Sequence, residues 1–83
     1  MKGDSLQGLI EYIAQALVDD PSQVQVEEVQ GGNHPRLELR VAREDMGRVI
    51  GKRGRVANSM RMLLRVAAAR QGKQANLEIV EPL

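Results

Sequence analysis

Leu6, Leu9, Ile10, Ile13, Ala14 and Leu17 recur at three- and four-residue steps, the spacing that places side chains on one face of a helix. Asp4 or Ser5 can cap its start and Asp20-Pro21 can stop it, which predicts an amphipathic helix of about four turns. Val24 and Val26 then alternate with Gln25 and Glu27, but Val29 falls out of phase, so a bulge or strand end is expected near Glu28. Gly31-Gly32-Asn33-His34-Pro35 reads as a turn. Beyond it Arg36-Leu37-Glu38-Leu39-Arg40-Val41 alternates cleanly, with Leu37, Leu39 and Val41 facing a core, and the two runs together predict a hairpin.

Met46, Val49 and Ile50 suit a short helix that Gly51-Lys52-Arg53-Gly54 interrupts. From Arg55 to about Gln71, Val56, Ala57, Met60, Leu63, Leu64, Ala67 and Ala68 form one stripe, the mark of a long helix that Gly72 can terminate. Ala75, Leu77 and Ile79 alternate in a last strand. The expected class is α+β in the order helix, strand, strand, helix, helix, strand. No repeat, low-complexity tract or linker interrupts it, so residues 1–83 are expected to form a single domain.

Composition narrows the chemistry. The 83 residues are 42% hydrophobic and 28% charged, ordinary globular usage that argues against wholesale disorder. Cysteine is absent, which excludes disulfides, thiolate metal sites and thiol nucleophiles. The start of the chain has no apolar signal stretch and nowhere is there a run that spans a bilayer, so a soluble cytoplasmic protein is expected. Tyr12 is the only aromatic residue, so base-stacking platforms cannot be built, and a nucleic-acid binder would have to work another way.

The net charge of +1 conceals a division along the chain. Residues 1–42 hold three basic against seven acidic residues, net −4. Residues 43–73 hold nine basic against two acidic residues, net +7, and Glu78 and Glu81 restore the total. A block of this kind is the footprint of a polyanion site, although a solvated helix face has the same charge pattern.

Within that block lies the one loop suited to phosphate. Gly51 and Gly54 let the backbone turn sharply and leave no Cβ between the chain and an incoming phosphodiester. The amides of the turn and of the following helix are expected to point outward, with the helix dipole behind them. Lys52 and Arg53 add charges at the tip, flanked by Arg48 and Arg55, and Val49, Ile50 and Val56 are candidates for an aliphatic floor. A G-x-x-G alone is weak evidence, since glycine at a helix end is most often a cap. Its conjunction with the basic block, the two helices and the hairpin carries the reading.

Val49-Ile50-Gly51-Lys52-Arg53-Gly54-Arg55-Val56 resembles the signature of the KH domain, whose G-x-x-G loop clamps about four backbone nucleotides. The element order resembles the bacterial, type II arrangement. Ala16-Leu17-Val18-Asp19, the run from Glu44 to Lys52 and the alanine-rich end of the long helix resemble the family of small single-KH bacterial proteins termed KhpA, over essentially the whole chain. The resemblance implies a three-stranded mixed sheet with three helices on one face. It further implies single-stranded RNA binding between the loop-bearing helices and a sheet edge, and an RNA-chaperone role acting post-transcriptionally. A larger KhpB-like KH partner and a part in cell length and peptidoglycan homeostasis are implied in the same way.

On the face of the long helix away from its core stripe, Met62, Val66 and Ala69, with Arg65 beside them, form a second, narrower stripe. A docked KH domain, as homodimer or heterodimer, is the expectation there, and two linked sites would gain avidity.

Other residues carry less. His34 belongs to a turn, and Asp19-Asp20 and Glu27-Glu28 read as solvated charges rather than catalytic pairs. Gly47-x-x-x-Gly51-Lys52 is one residue short of a nucleotide-binding P-loop and lacks the following Ser or Thr. Ser5, Ser22 and Ser59 have no histidine in a plausible relationship. No enzyme activity, cofactor, metal site, membrane partner or small-molecule substrate is expected. Two other classes stay open: a helix-turn-helix DNA-binding module over residues 43–71, and a protein-interaction module with a vestigial RNA site.

Overall fold

A computed structural model describes residues 5–30 and 34–82; Asp4 as an alternative cap, and Gly31-Gly32-Asn33 of the expected turn, lie outside them. Among the described residues the chain forms α1 (Leu6–Leu17), β1 (Gln25–Gln30), β2 (Arg36–Arg40), α2 (Met46–Ile50), α3 (Arg55–Arg70) and β3 (Asn76–Ile79). Single 3-10 turns at Pro21–Gln23, Arg43–Asp45 and Lys52–Gly54 join them. The order is the helix, strand, strand, helix, helix, strand arrangement that the apolar spacing predicts.

Ser5 caps α1, its Oγ accepting the N–H of Gly8 at 2.8 Å, which satisfies one donor that the first turn leaves without an intrahelical partner. Leu6, Ile10 and Ala14 are buried. The helix stops at Leu17, earlier than Asp20-Pro21 suggests, and Leu17 is exposed. The cause is tertiary. The N–H groups of Asp19 and Asp20, which could continue the helix, donate instead to Oδ1 and Oδ2 of Asp45, both at 3.1 Å.

β1 and β2 are antiparallel, with Val26 opposite Leu39 and Glu27 opposite Glu38, and the register shifts between Glu28 and Gln30. The bulge expected from the out-of-phase Val29 is therefore present, and Val29 is exposed. β2 and β3 run parallel, with Leu37 opposite Leu77 and Leu39 opposite Ile79. A parallel pair needs a long crossover, which α2 and α3 supply. The sheet is three-stranded and mixed, in the order β1-β2-β3.

Its two faces differ because side chains alternate. Val26, Leu37, Leu39 and Leu77 pack with Ile10, Ala14, Val49, Met60, Leu64 and Ala68 of the helices into one core. On the other face Glu27, Glu38 and Glu78 lie in one row across the three strands. Like charges directly opposite repel, and Arg36 and Arg40 on β2 offset this. Arg40 sits 3.8 Å from Glu27 and from Glu38, and Arg36 sits 3.7 Å from Glu38 and 4.0 Å from Glu78.

α3 buries Ala57, Met60, Leu64 and Ala68. Leu63, assigned to that stripe from its spacing, is 52% exposed. It falls on the flank of the helical wheel, beyond the reach of the sheet. The helix closes with Lys73 N–H on Ala68 O (2.9 Å) and Gly72 N–H on Ala69 O (3.0 Å), with Gly72 at φ +69°. This is a Schellman ending, and it uses the glycine as expected.

Candidate nucleic-acid interface

The loop begins where α2 runs out. Gly51 N–H donates to Gly47 O at 2.8 Å, and the backbone then takes φ +77°, ψ 173° at Gly51, a region essentially reserved for glycine. A Cβ placed on Gly51 would lie 2.5 Å from Cγ2 and 2.9 Å from the main-chain N of Val56, so the chain folds back tightly on the first turn of α3. Arg53 (φ +58°, ψ 24°) and Gly54 (φ +75°, ψ 15°) follow in the left-handed region. A Cβ on Gly54 would meet open space. The two glycines thus differ in role: Gly51 makes room for Val56, whereas Gly54 is required only for its φ.

The turn also uses N–H groups expected to face outward. Gly54 N–H donates to Gly51 O at 3.1 Å, and Arg55 N–H donates to Lys52 O. The positive character of the tip therefore comes chiefly from the side chains of Lys52, Arg53 and Arg55. All three are exposed, and none makes an ion pair among the described residues. The N-terminus of the sixteen-residue α3 lies directly behind them.

Of the apolar candidates, Ile50 is 38% exposed and Val56 is half-buried beside the loop, while Val49 is fully buried and belongs to the core. The accessible apolar surface beside the loop therefore consists of Ile50 and Val56. Arg48 is also placed differently from expectation. Its Nη2 donates to Asp19 Oδ2 at 2.9 Å and its Nε lies 3.6 Å from Asp45 Oδ1, because the end of α1 passes alongside α2. Asp19 is therefore the partner of a cation rather than a merely solvated charge.

Asp45 and Arg61 are the residues that sequence reasoning passes over. Asp45 is 2% exposed and ties the exit of α1 to the entry of α2, so it holds the helix that leads into the loop. Arg61 joins α3 to the last strand. Asn76 N–H donates to Pro35 O (3.1 Å) and Val80 N–H to Leu39 O (3.0 Å), which turns the main-chain groups of Leu77 and Ile79 toward the open edge of β3. Arg61 Nε donates to Leu77 O at 3.2 Å, and its Nη1 donates to Asn58 Oδ1 at 3.1 Å. Arg61, steadied by Asn58, thus bridges α3 to the open edge of β3 at Leu77. No local signal around Arg61 announces this, since its acceptor lies sixteen residues away.

Met62 (64% exposed) and Val66 (56%) lie on the outer side of α3, and Leu63 joins them. Arg65 and Ala69, on the same helix, also line a crevice with Lys73 and Asn76. His34 is exposed. Among the described residues there is no group of three or more His, Asp or Glu side chains that would hold a metal ion, and no helix long and apolar enough to cross a membrane.

A G-x-x-G loop between two helices, beside the open edge of the last strand of a β-β-α-α-β sheet, defines a KH domain of the type II order. Residues 7–79 match the family described as KhpA/KhpB, KH domain, and the chain belongs to that family. It is similar to the RNA-binding protein KhpA of Clostridium acetobutylicum, 50% identical over 72 residues that cover 87% of this chain and 96% of the relative. KhpA of Caldanaerobacter subterraneus subsp. tengcongensis is 47% identical with the same coverage. KhpA of Treponema pallidum is 48% identical over 88% of this chain and 91% of the relative. No solved structure matches the chain.

Proposed function

We propose that this chain is a non-enzymatic single-stranded RNA-binding protein that grips the sugar–phosphate backbone with residues 51–54 and seats the bases in the groove between α3 and β3. The observation that carries the reading is the pair of adjacent, exposed cations, Lys52 and Arg53, held at the tip of a glycine-bounded turn with no acidic partner among the described residues. Such a grip needs no aromatic stacking, in keeping with the single tyrosine. Arg55, Ile50 and Val56 flank it. The relatives named RNA-binding protein KhpA support the same assignment.

Its role is that of an RNA chaperone acting post-transcriptionally in the cytoplasm, as one domain spanning the chain. It works as a homodimer, a heterodimer with a KhpB-like KH protein, or both, in the control of cell length and peptidoglycan homeostasis. The exposed apolar patch of Met62, Leu63 and Val66 supports the pairing. A helix-turn-helix reading is disfavoured by the five residues of α2, too short to brace a recognition helix across a DNA backbone.

The test is the double variant Lys52→Asp/Arg53→Asp, with its fold checked by circular dichroism. Single-stranded RNA affinity is expected to collapse. For the wild type, log affinity against log salt should fall with a slope of about −0.7 per phosphate contact. Unchanged affinity in the double variant overturns the clamp, and a preference for duplex DNA over RNA overturns the RNA reading itself. Retained binding to a KH partner with no salt-dependent RNA binding would identify a protein-interaction module instead.

A further inference from the structure

The cations of α3 do not end at Arg61. The C-terminal half of α3, the turn after it and the first residues of β3 enclose a crevice of ≈ 270 Å³ lined by Arg65, Ala69, Lys73, Gln74, Ala75 and Asn76. Arg61, Arg65 and Ala69 are spaced four residues apart, so they follow one flank of α3 away from the loop. Along the helix axis Arg65 lies about 15 Å from Arg55.

The charges in this crevice are left open. Arg36, Arg40 and Arg48 are each paired with acidic side chains, whereas neither Arg65 nor Lys73 makes an ion pair among the described residues. The Schellman hydrogen bonds of Gly72 and Lys73 fix the backbone that carries Lys73. Ala69 and Ala75 keep the lining low, and the amides of Gln74 and Asn76 supply donors and acceptors together. Two cations, neutral amides and a shallow floor suit one further nucleotide: phosphate on Arg65 and Lys73, and a base edge or 2′-hydroxyl on the amides.

We propose that this crevice is a distal nucleotide subsite, which prolongs the strand path beyond the segment gripped at residues 51–54. The proposal rests on the RNA-binding reading above. It makes the footprint longer than the loop alone can hold, and it makes the last part of that footprint selective for RNA strands that leave α3 along β3.

The experiment compares oligoribonucleotides of degenerate sequence, four and eight nucleotides long, by fluorescence anisotropy across a salt series. The proteins are the wild type, Arg65→Gln/Lys73→Gln and Lys52→Asp/Arg53→Asp, each with its fold confirmed by circular dichroism. In the wild type the salt slope should steepen by about 0.7 from tetramer to octamer, the share of one further phosphate contact on a single strand. Arg65→Gln/Lys73→Gln should lose that increment and about tenfold in octamer affinity, with tetramer affinity lowered far less. Equal octamer slopes in wild type and this variant overturn the subsite while leaving the loop assignment standing, provided the loop variant fails on both lengths. Equal losses on tetramer and octamer also overturn it, by placing Arg65 and Lys73 within the primary grip. A loop variant that binds both lengths as the wild type does removes the RNA reading and the subsite with it.

Discussion

Gly51 and Val56 stand so close that a Cβ on the glycine would lie 2.5 Å from Cγ2 of the valine. This contact sets how sharply α2 turns into α3, and so where Lys52 and Arg53 project.

The two loop glycines should respond unequally to the same substitution. Gly51→Ala combines a positive φ with a clash against Val56, including its main-chain N, and should cost about 3 kcal/mol or more. Gly54→Ala meets open space and should cost only the strain of its φ, about 1 kcal/mol. Urea unfolding of the two variants measures the difference, and equal losses would show that the Val56 contact is not the constraint.

Asp45 accepts two main-chain N–H groups from a buried position. Asp45→Asn replaces an acceptor oxygen by a donor and leaves one of those N–H groups without a partner, so stability should fall by about 2 kcal/mol. Asp19→Ala removes only the exposed pair to Arg48 and should cost at most about 1 kcal/mol. A comparison of chemical denaturation midpoints distinguishes the buried anchor from the surface pair.

Arg53 holds a left-handed conformation without being glycine. Arg53→Gly relieves about 1 kcal/mol of strain, offset by about the same amount of extra freedom in the unfolded chain. Stability should therefore hardly change while RNA affinity falls with the lost charge, a separation that calorimetry and binding titration can establish. A large loss of stability would mean that the Arg53 side chain supports the fold.

Met62→Glu and Val66→Glu place a carboxylate in the exposed apolar patch of α3. Each should shift a self-associating protein toward monomer in analytical ultracentrifugation, by burying an unpaired charge at the contact, without lowering the melting temperature of the monomer. If the wild type is monomeric at high concentration, the patch does not pair two copies of this chain.

Much of this was legible in the order of residues. Periodicity located all six elements, Val29 betrayed the bulge through its broken phase, and Gly51-Lys52-Arg53-Gly54 stood out because glycines and adjacent charges act through local backbone geometry. These are short-range effects, and a sequence displays short-range effects directly. Leu63, Arg48, Val49 and the early end of α1 were decided by partners distant along the chain. The Asp45 carboxylate draws the Asp19 and Asp20 amides out of the helix from 26 and 25 residues away, respectively. Arg48 is neutralised by Asp19 across 29 residues, and Arg61 finds its acceptor only because β3 returns beside α3. Local stereochemistry determined which segments are helix, strand and loop, whereas long-range hydrogen bonds and packing decided which cations are already paired and which stand open to a ligand.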